Sequence, residues 1–326
     1  MRRLALSLAL ALLVGCVPAA AGTRKVTLLL DWTPNPDHVG LYVAQASGRF
    51  TRAGLDVSIR APSDPTAPLK LVGAARSDLA VSYEQELFFA AAKHLPVIAV
   101  AAVVPQPLNS FMSINRSVKS LRDLKGHSVG ITGVPSDYAI LDTALRSVGL
   151  SRKSVKVVNV GYNLLPSLLA HRVDAVLGVY RNVEGVQLQL RGFKPTIIPV
   201  NRGGVPTYDE LVLVANKKRL TRDAGYRSTV NRVVGALLAG TAAARRHPEN
   251  AKSVLKKVTG SDNDFLERAT PATLRLLVGP RGVGCVDVAA WARFGAWMHR
   301  RKLLKKPIRA QTVVTARLLP KRCRAA

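Results

Sequence analysis

The segment DWTPNPDH, residues 31–38, places a flat indole, an amide and an imidazole within one short loop. Trp32 offers a face on which a planar ring can stack, and Asn35 and His38 supply directional hydrogen bonds beside it. The same residues have a plainer use, with Trp32 as an apolar plug and His38 as a cap on the next helix. A second such stretch is Ser82-Tyr83-Glu84-Gln85-Glu86. Tyr83 suits the opposite wall of an aromatic sandwich, and Glu86 suits an acceptor for a ligand amino group. Glutamates in a first helical turn also simply complement the helix dipole. Gly133-Val134-Pro135-Ser136-Asp137 reads as a tight turn into a helix. Its free backbone N–H groups can hold an anion or a carbonyl, or be capped by Ser136 or Asp137. Tyr180-Arg181-Asn182-Val183-Glu184 follows a strand and precedes a helix, and Tyr208-Asp209-Glu210 lies at a crossing between modules.

These residue types bind; they do not form a catalytic set. The chain has no G-x-S-x-G elbow, no H-E-x-x-H, no phosphate-binding G-x-x-x-x-G-K-[ST] and no cysteine paired with a suitable histidine. Gly279 to Gly284 is glycine-rich but lacks the lysine of a phosphate loop, so it reads as a turn. No catalytic residue, cofactor or metal site is expected.

Strands and helices alternate around these loops. Lys25 to Leu30, Leu55 to Ile59, Asp78 to Ser82 and Pro96 to Val104 read as strands. Helices are expected over Gly40 to Gly48, Thr66 to Arg76 and Glu84 to Lys93. The rhythm restarts with strands at Ser128 to Ile131, Val155 to Val160, Asp174 to Val179 and Thr196 to Val200. Helices fall between them over Asp137 to Val148, Leu164 to His171 and Glu184 to Arg191. The last third is mainly helical, over Val230 to Arg246, Pro248 to Lys257 and Ala289 to Leu304. The alternation predicts open, mainly parallel sheets whose ligands lie beyond the carboxyl ends of the strands. Connections near Asn109–Asn115 and Tyr208–Asn216 divide the chain into lobe 1, residues 25–110 with 213–326, and lobe 2, residues 111–212.

Arg2 and Arg3, the apolar run Leu4 to Val14 and Leu13-Val14-Gly15-Cys16 form a lipoprotein signal over residues 1–16, with a linker over 17–24. About eleven apolar residues are too few to span a bilayer, so Cys16 is the expected lipidation site and anchoring is by lipid. Roughly 310 residues remain, more than one usual core holds. The formal net charge is +28, of which the signal supplies only Arg2 and Arg3. Aromatic residues make up 5% and do not interleave with the basic ones, so no nucleic acid is expected; attraction to an anionic membrane surface is. Cys285 and Cys323 are left as an even pair that outside the cytoplasm permits a disulfide; one buried thiol and one loose tail thiol is the other option.

The combination LLLDWTPNPDHVGLYVAQ, GLDVSI, LAVSYEQEL, LKGHSVGITGVPSD, GYNLLPSLLAHRVDAVLG, YRNVEGVQL and VPTYDELVLVAN, over roughly residues 25–300, resembles the thiamine-pyrimidine-binding branch of the periplasmic binding proteins. The resemblance implies a type II periplasmic-binding-protein fold, two α/β lobes joined by two crossing strands. It also implies an extracytoplasmic, monomeric solute-binding lipoprotein that delivers a formylaminopyrimidine-like thiamine precursor to the permease subunits of an ABC importer. Carried over by motif, the ligand-binding residues are Trp32, Asn35, His38, Tyr83, Glu86, Ser136, Tyr180, Asn182, Glu184, Tyr208 and Asp209. Arg181 departs from the pattern, standing where an aromatic is expected, and leaves open a binder of alkanesulfonate, taurine or nitrate. The related fungal pyrimidine synthases use a Lys and a His where this chain has Ser82 and Glu86, and a Cys-rich motif it lacks.

Overall fold

The structure, a computed structural model, describes residues 23–324, so the signal, Cys16 and most of the linker lie outside the described residues. The described residues open with β1 (Arg24–Leu29), α1 (Val39–Ala46), α2 (Arg49–Arg52), β2 (Leu55–Arg60), α3 (Ala67–Gly73), β3 (Leu79–Ser82), α4 (Glu84–Ala92) and β4 (Val97–Val104). It continues through β5 (Asn109–Ser113), β6 (Ser128–Ile131), α5 (Pro135–Ser147), β7 (Lys156–Asn159), α6 (Leu164–Leu169), β8 (Ala175–Tyr180), α7 (Glu184–Leu190) and β9 (Thr196–Pro199). It ends with β10 (Leu211–Asn216), α8 (Lys217–Arg222), α9 (Ala224–Arg246), α10 (Pro248–Thr259), α11 (Asn263–Leu276) and α12 (Val288–Arg300).

The strands form two five-stranded sheets, ordered β2-β1-β3-β10-β4 and β7-β6-β8-β5-β9. Each contains parallel pairs and one antiparallel strand that arrives from the other half of the chain, β10 in the first and β5 in the second. This reciprocal exchange makes two lobes joined at residues 105–108 and 200–210. Asn109 and Ser110 already lie in the second sheet, and Leu211 and Val212 in the first, so both junctions fall two residues earlier than expected. The cause is that β5 and β10 begin directly after the connections rather than containing them.

Helices cover the sheets because the strands are apolar on both faces: all eight residues of β4 are buried. The helix over 263–276 was not expected; Pro271 lies inside it and polar residues dilute its apolar stripe. Contact between α1 and α9 is close at Gly40 and Gly240. A Cβ on Gly240 would come within 2.2 Å of the Gly40 carbonyl oxygen. That approach seats α1, and with it the loop before it, against α9, the longest of the described helices. Among the described residues no helix is long and apolar enough to cross a membrane.

Cys285 and Cys323 form a disulfide with a Cα–Cα distance of 4.9 Å. It ties down the tail beyond α12, whose Val314 bridges Ala99 in parallel and so covers the free edge of β4.

Candidate functional site

Residues from four of the stretches singled out in the sequence meet between the two sheets; the loop over residues 31–38 does not line the space they enclose. The junction of β3 with α4 comes from the first lobe. The turn into α5, the end of β8 and Asn109 of β5 come from the second, and Glu210 comes from the returning connection. Together they line a recess of about 20 Å³, room for about one water. Tyr83 and Val134 are also walls of a wider antechamber of about 360 Å³, reached by Glu86, Phe89, Lys70 and Lys93.

Two carboxyls dominate the recess. Asp137 Oδ2 accepts from Thr132 N at 2.8 Å, Thr132 Oγ1 at 2.6 Å and Gly133 N at 3.0 Å. These bonds hold the turn in which Gly133 sits at φ +87°. Glu210 Oε2 accepts from Leu108 N at 2.6 Å, Asn109 N at 2.8 Å and Tyr208 Oη at 3.0 Å. In each case one oxygen is committed to the protein, while Asp137 Oδ1 and Glu210 Oε1 have no hydrogen-bond partner among the described residues. Burial pushes both carboxyls up to about 7, against the hydrogen bonds that pull them down. Such groups donate when protonated and accept when ionised, so they fit a neutral edge that carries both a donor and an acceptor. No Lys or Arg lines the recess.

Hydrogen bonds bridge the lobes, so this is a closed form. Ser136 N donates to Glu86 Oε1 at 2.8 Å, and Tyr162 Oη to the Asp31 carbonyl at 2.7 Å. Asn182 Nδ2 donates to Asp37 Oδ1 at 2.7 Å and to Thr273 Oγ1 at 2.8 Å. A planar ring enters the recess only if its walls part by roughly 3.5 Å, one aromatic contact distance.

Of the eleven expected ligand residues, Tyr83, Ser136 and Tyr180 line the recess and Glu86 the antechamber. The others are placed differently. Trp32 is half-buried against the first lobe's core and lines neither space. Asn35 is spent on its own turn, accepting from Asp37 N at 2.8 Å and donating to the Thr33 carbonyl. His38 Nδ1 accepts from Asn35 N, so its proton is on Nε2, which lies 2.8 Å from Asp31 Oδ1. Asp31 in turn accepts from Tyr83 Oη at 3.0 Å, so His38 acts on the recess only through Asp31 and Tyr83. Asn182 latches the lobes, and Glu184 accepts from Tyr180 N at 2.7 Å behind the wall. Tyr208 packs on Phe294, ring centres 5.4 Å apart, and reaches the recess only through its Oη bond to Glu210, while Asp209 accepts from Trp291 Nε1 at 2.8 Å; neither lines the recess itself. Arg181 donates to the Pro107 carbonyl at 2.6 Å, bracing a connection.

Asp31, Asn109, Asp137 and Glu210 are the site residues that sequence reasoning undervalued. Their signal was position: Asp31 follows β1, Asp137 lies in the first turn of α5, and Asn109 and Glu210 sit where the chain crosses between lobes.

The buried carboxyls make stability depend on pH. Asp37 is pushed up to about 6, and Glu184, Asp209, Asp137 and Glu210 to about 7, chiefly by burial. A carboxyl whose pKa rises on folding contributes stability that is full below the unfolded carboxylate range and is lost as pH rises through the folded value. Calorimetric Tm of the unliganded protein should therefore fall by roughly 5 °C or more between about pH 5 and about pH 8. A flat or rising Tm would show that these groups ionise freely.

A family model described as NMT1/THI5 like matches residues 35–251. A protein of Haemophilus influenzae named for thiamine biosynthesis is 42% identical over 289 residues, 87% of this chain and 90% of the relative. The formylaminopyrimidine-binding protein of Halalkalibacterium halodurans is 32% identical over 321 residues, covering 94% and 96%. A 4-amino-5-hydroxymethyl-2-methylpyrimidine phosphate synthase of Saccharomyces cerevisiae is 28% identical over 159 residues, 48% of this chain and 46% of the enzyme. Among solved structures, the alkanesulfonate-binding protein SsuA from Xanthomonas axonopodis pv. citri aligns with a TM-score of 0.70 at 17% identity, over 91% of this chain and 99% of that one. At that identity the likeness speaks for the two-lobed fold of the periplasmic binding proteins, as the sequence predicted.

Proposed function

The chain belongs to the NMT1/THI5-like family, and on that premise we propose that it is the extracytoplasmic solute-binding protein of an ABC importer for a formylaminopyrimidine-like thiamine precursor. The observation that carries this is the pair of free carboxyl oxygens, Asp137 Oδ1 and Glu210 Oε1, in a recess walled by Tyr83 and Tyr180. A 4-aminopyrimidine presents a ring nitrogen beside an amino group, an acceptor next to a donor. With one oxygen of each carboxyl committed to the protein, the pair reads that edge together: Asp137, protonated on Oδ1, donates to the ring nitrogen, and Glu210, ionised, accepts at Oε1 from the amino group. The tyrosine rings supply the stacking faces, and the substituent at the far side of the ring extends into the antechamber. Closure is then completed by the bonds from Ser136, Tyr162 and Asn182 across the lobes.

A sulfonate in the same recess would meet two carboxyls and no cation, and Arg181 is engaged at the connection. The synthase alternative lacks its Lys and His, replaced by Ser82 and Glu86, so no enzymatic activity is proposed. The disulfide agrees with an oxidising compartment outside the cytoplasm. Lipid attachment at Cys16, a monomeric state and delivery to a permease complete the proposal.

Titration calorimetry with formylaminopyrimidine and with taurine tests it. The pyrimidine should release heat and, at about a hundred times Kd, stabilise the protein by about 2.7 kcal/mol, with taurine inert. Heat from taurine alone would reverse the assignment.

A further inference from the structure

A second cavity, of about 490 Å³, lies outside the recess where both connections border the first lobe, at Pro105 and Pro206. Its wall is one face of α12: Ala290, Phe294 and Trp297 at helical spacing, with exposed Arg293 and Arg300 on the same side. Phe294 and Trp297 have ring centres 5.2 Å apart, and Tyr208 extends this aromatic floor. Trp297 is 8% exposed, yet its Nε1–H has no hydrogen-bond partner, and neither has Oε1 of buried Glu84, another lining residue. A buried donor without an acceptor is rare in native proteins. Arg293 and Arg300 also make no ion pair or hydrogen bond among the described residues.

We propose that this hinge-side cavity is a second ligand site, taking a small organic anion with a flat apolar body. The body lies on Phe294 and Trp297, an acceptor on it receives the Trp297 N–H, and its anionic group is held by Arg293 and Arg300. The nearby acids do not oppose this. Burial, then the neighbouring Asp209, raises the Glu84 carboxyl well above its usual range, and burial pushes Asp209 up to about 7. Asp287 caps α12 and pairs with Arg281 at 3.6 Å.

The chain has three tryptophans, so the indole region of a ¹H–¹⁵N spectrum of the full protein holds few signals to assign, with Trp297→Phe identifying the relevant one. Titration with 2-naphthoate should move the Trp297 signal saturably, move Trp291 through Asp209, and leave Trp32 in place. The exposed pair Arg293→Glu and Arg300→Glu, made together, should weaken binding at least about tenfold, as should replacing the probe by neutral 2-naphthol. Ala290→Phe, which fills the cavity, should abolish the shift. A Trp297 signal that does not respond at millimolar naphthoate, or an affinity indifferent to reversing both arginines, overturns the site.

Discussion

Glu210→Gln is expected to weaken aminopyrimidine binding about a hundredfold, a loss of 2–3 kcal/mol, without loss of fold. The substitution is nearly isosteric. The amide oxygen can still accept from Leu108 N, Asn109 N and Tyr208 Oη, so the connection between lobes stays braced. What changes is the other end of the group: a donor-only NH2 replaces the free oxygen that faces the recess. The ligand edge then meets a fixed donor where it needs a group able to accept. The unliganded protein should at the same time become more stable near about pH 8, because a carboxyl pushed up to about 7 by burial no longer has to ionise there. Calorimetry gives both results on one sample. Unchanged affinity would remove Glu210 from the site, while loss of affinity together with a lower Tm would mean that the connection, not the recess, was damaged.

Reducing the Cys285–Cys323 bond, or replacing both cysteines by Ala, should cost about 4 kcal/mol of stability, the loop entropy for a separation of 38 residues. In Tm this is roughly 6 °C for a chain of this size. The loss should begin in the tail. Beyond α12 that segment is held by buried Leu304, Val313, Val314 and Leu319 and by the backbone bonds of Val313 and Thr315 to Ala99. Untied, it should expose the β4 edge and loosen the backbone at the already exposed basic run Arg300-Arg301-Lys302. Limited trypsin digestion of the reduced protein should therefore cut there first, leaving a core of both lobes. Equal Tm in the reduced and oxidised forms would show that apolar packing of the tail suffices.

The strands and most helices could be read from sequence because their apolar runs are long and bounded by Gly, Pro and Asp. The β4 run of eight buried residues is the clearest case. The helix with Pro271 inside was not, because propensity is set aside there by packing against the loop and α7. The site was half readable. Sequence pointed to most of the stretches that reach the recess, since these follow strands in an open sheet, but also to the loop over 31–38, which does not line it, and not to the atoms themselves. Asn35 and His38 looked like ligand groups and are consumed by their own turn, whose orientation is set from outside by the Gly40–Gly240 approach. Asp137 looked like a cap and Glu210 like part of a crossing, and each does hold backbone N–H groups, but with one oxygen left over. A carboxyl's second oxygen is invisible to motif spacing.

The most direct measurement is a crystal structure of the protein with formylaminopyrimidine. The aminopyrimidine ring should lie between Tyr83 and Tyr180, its amino group and ring nitrogen within hydrogen-bond distance of Asp137 Oδ1 or Glu210 Oε1. A ring found instead against α12, or bound with neither carboxyl in contact, would contradict the account.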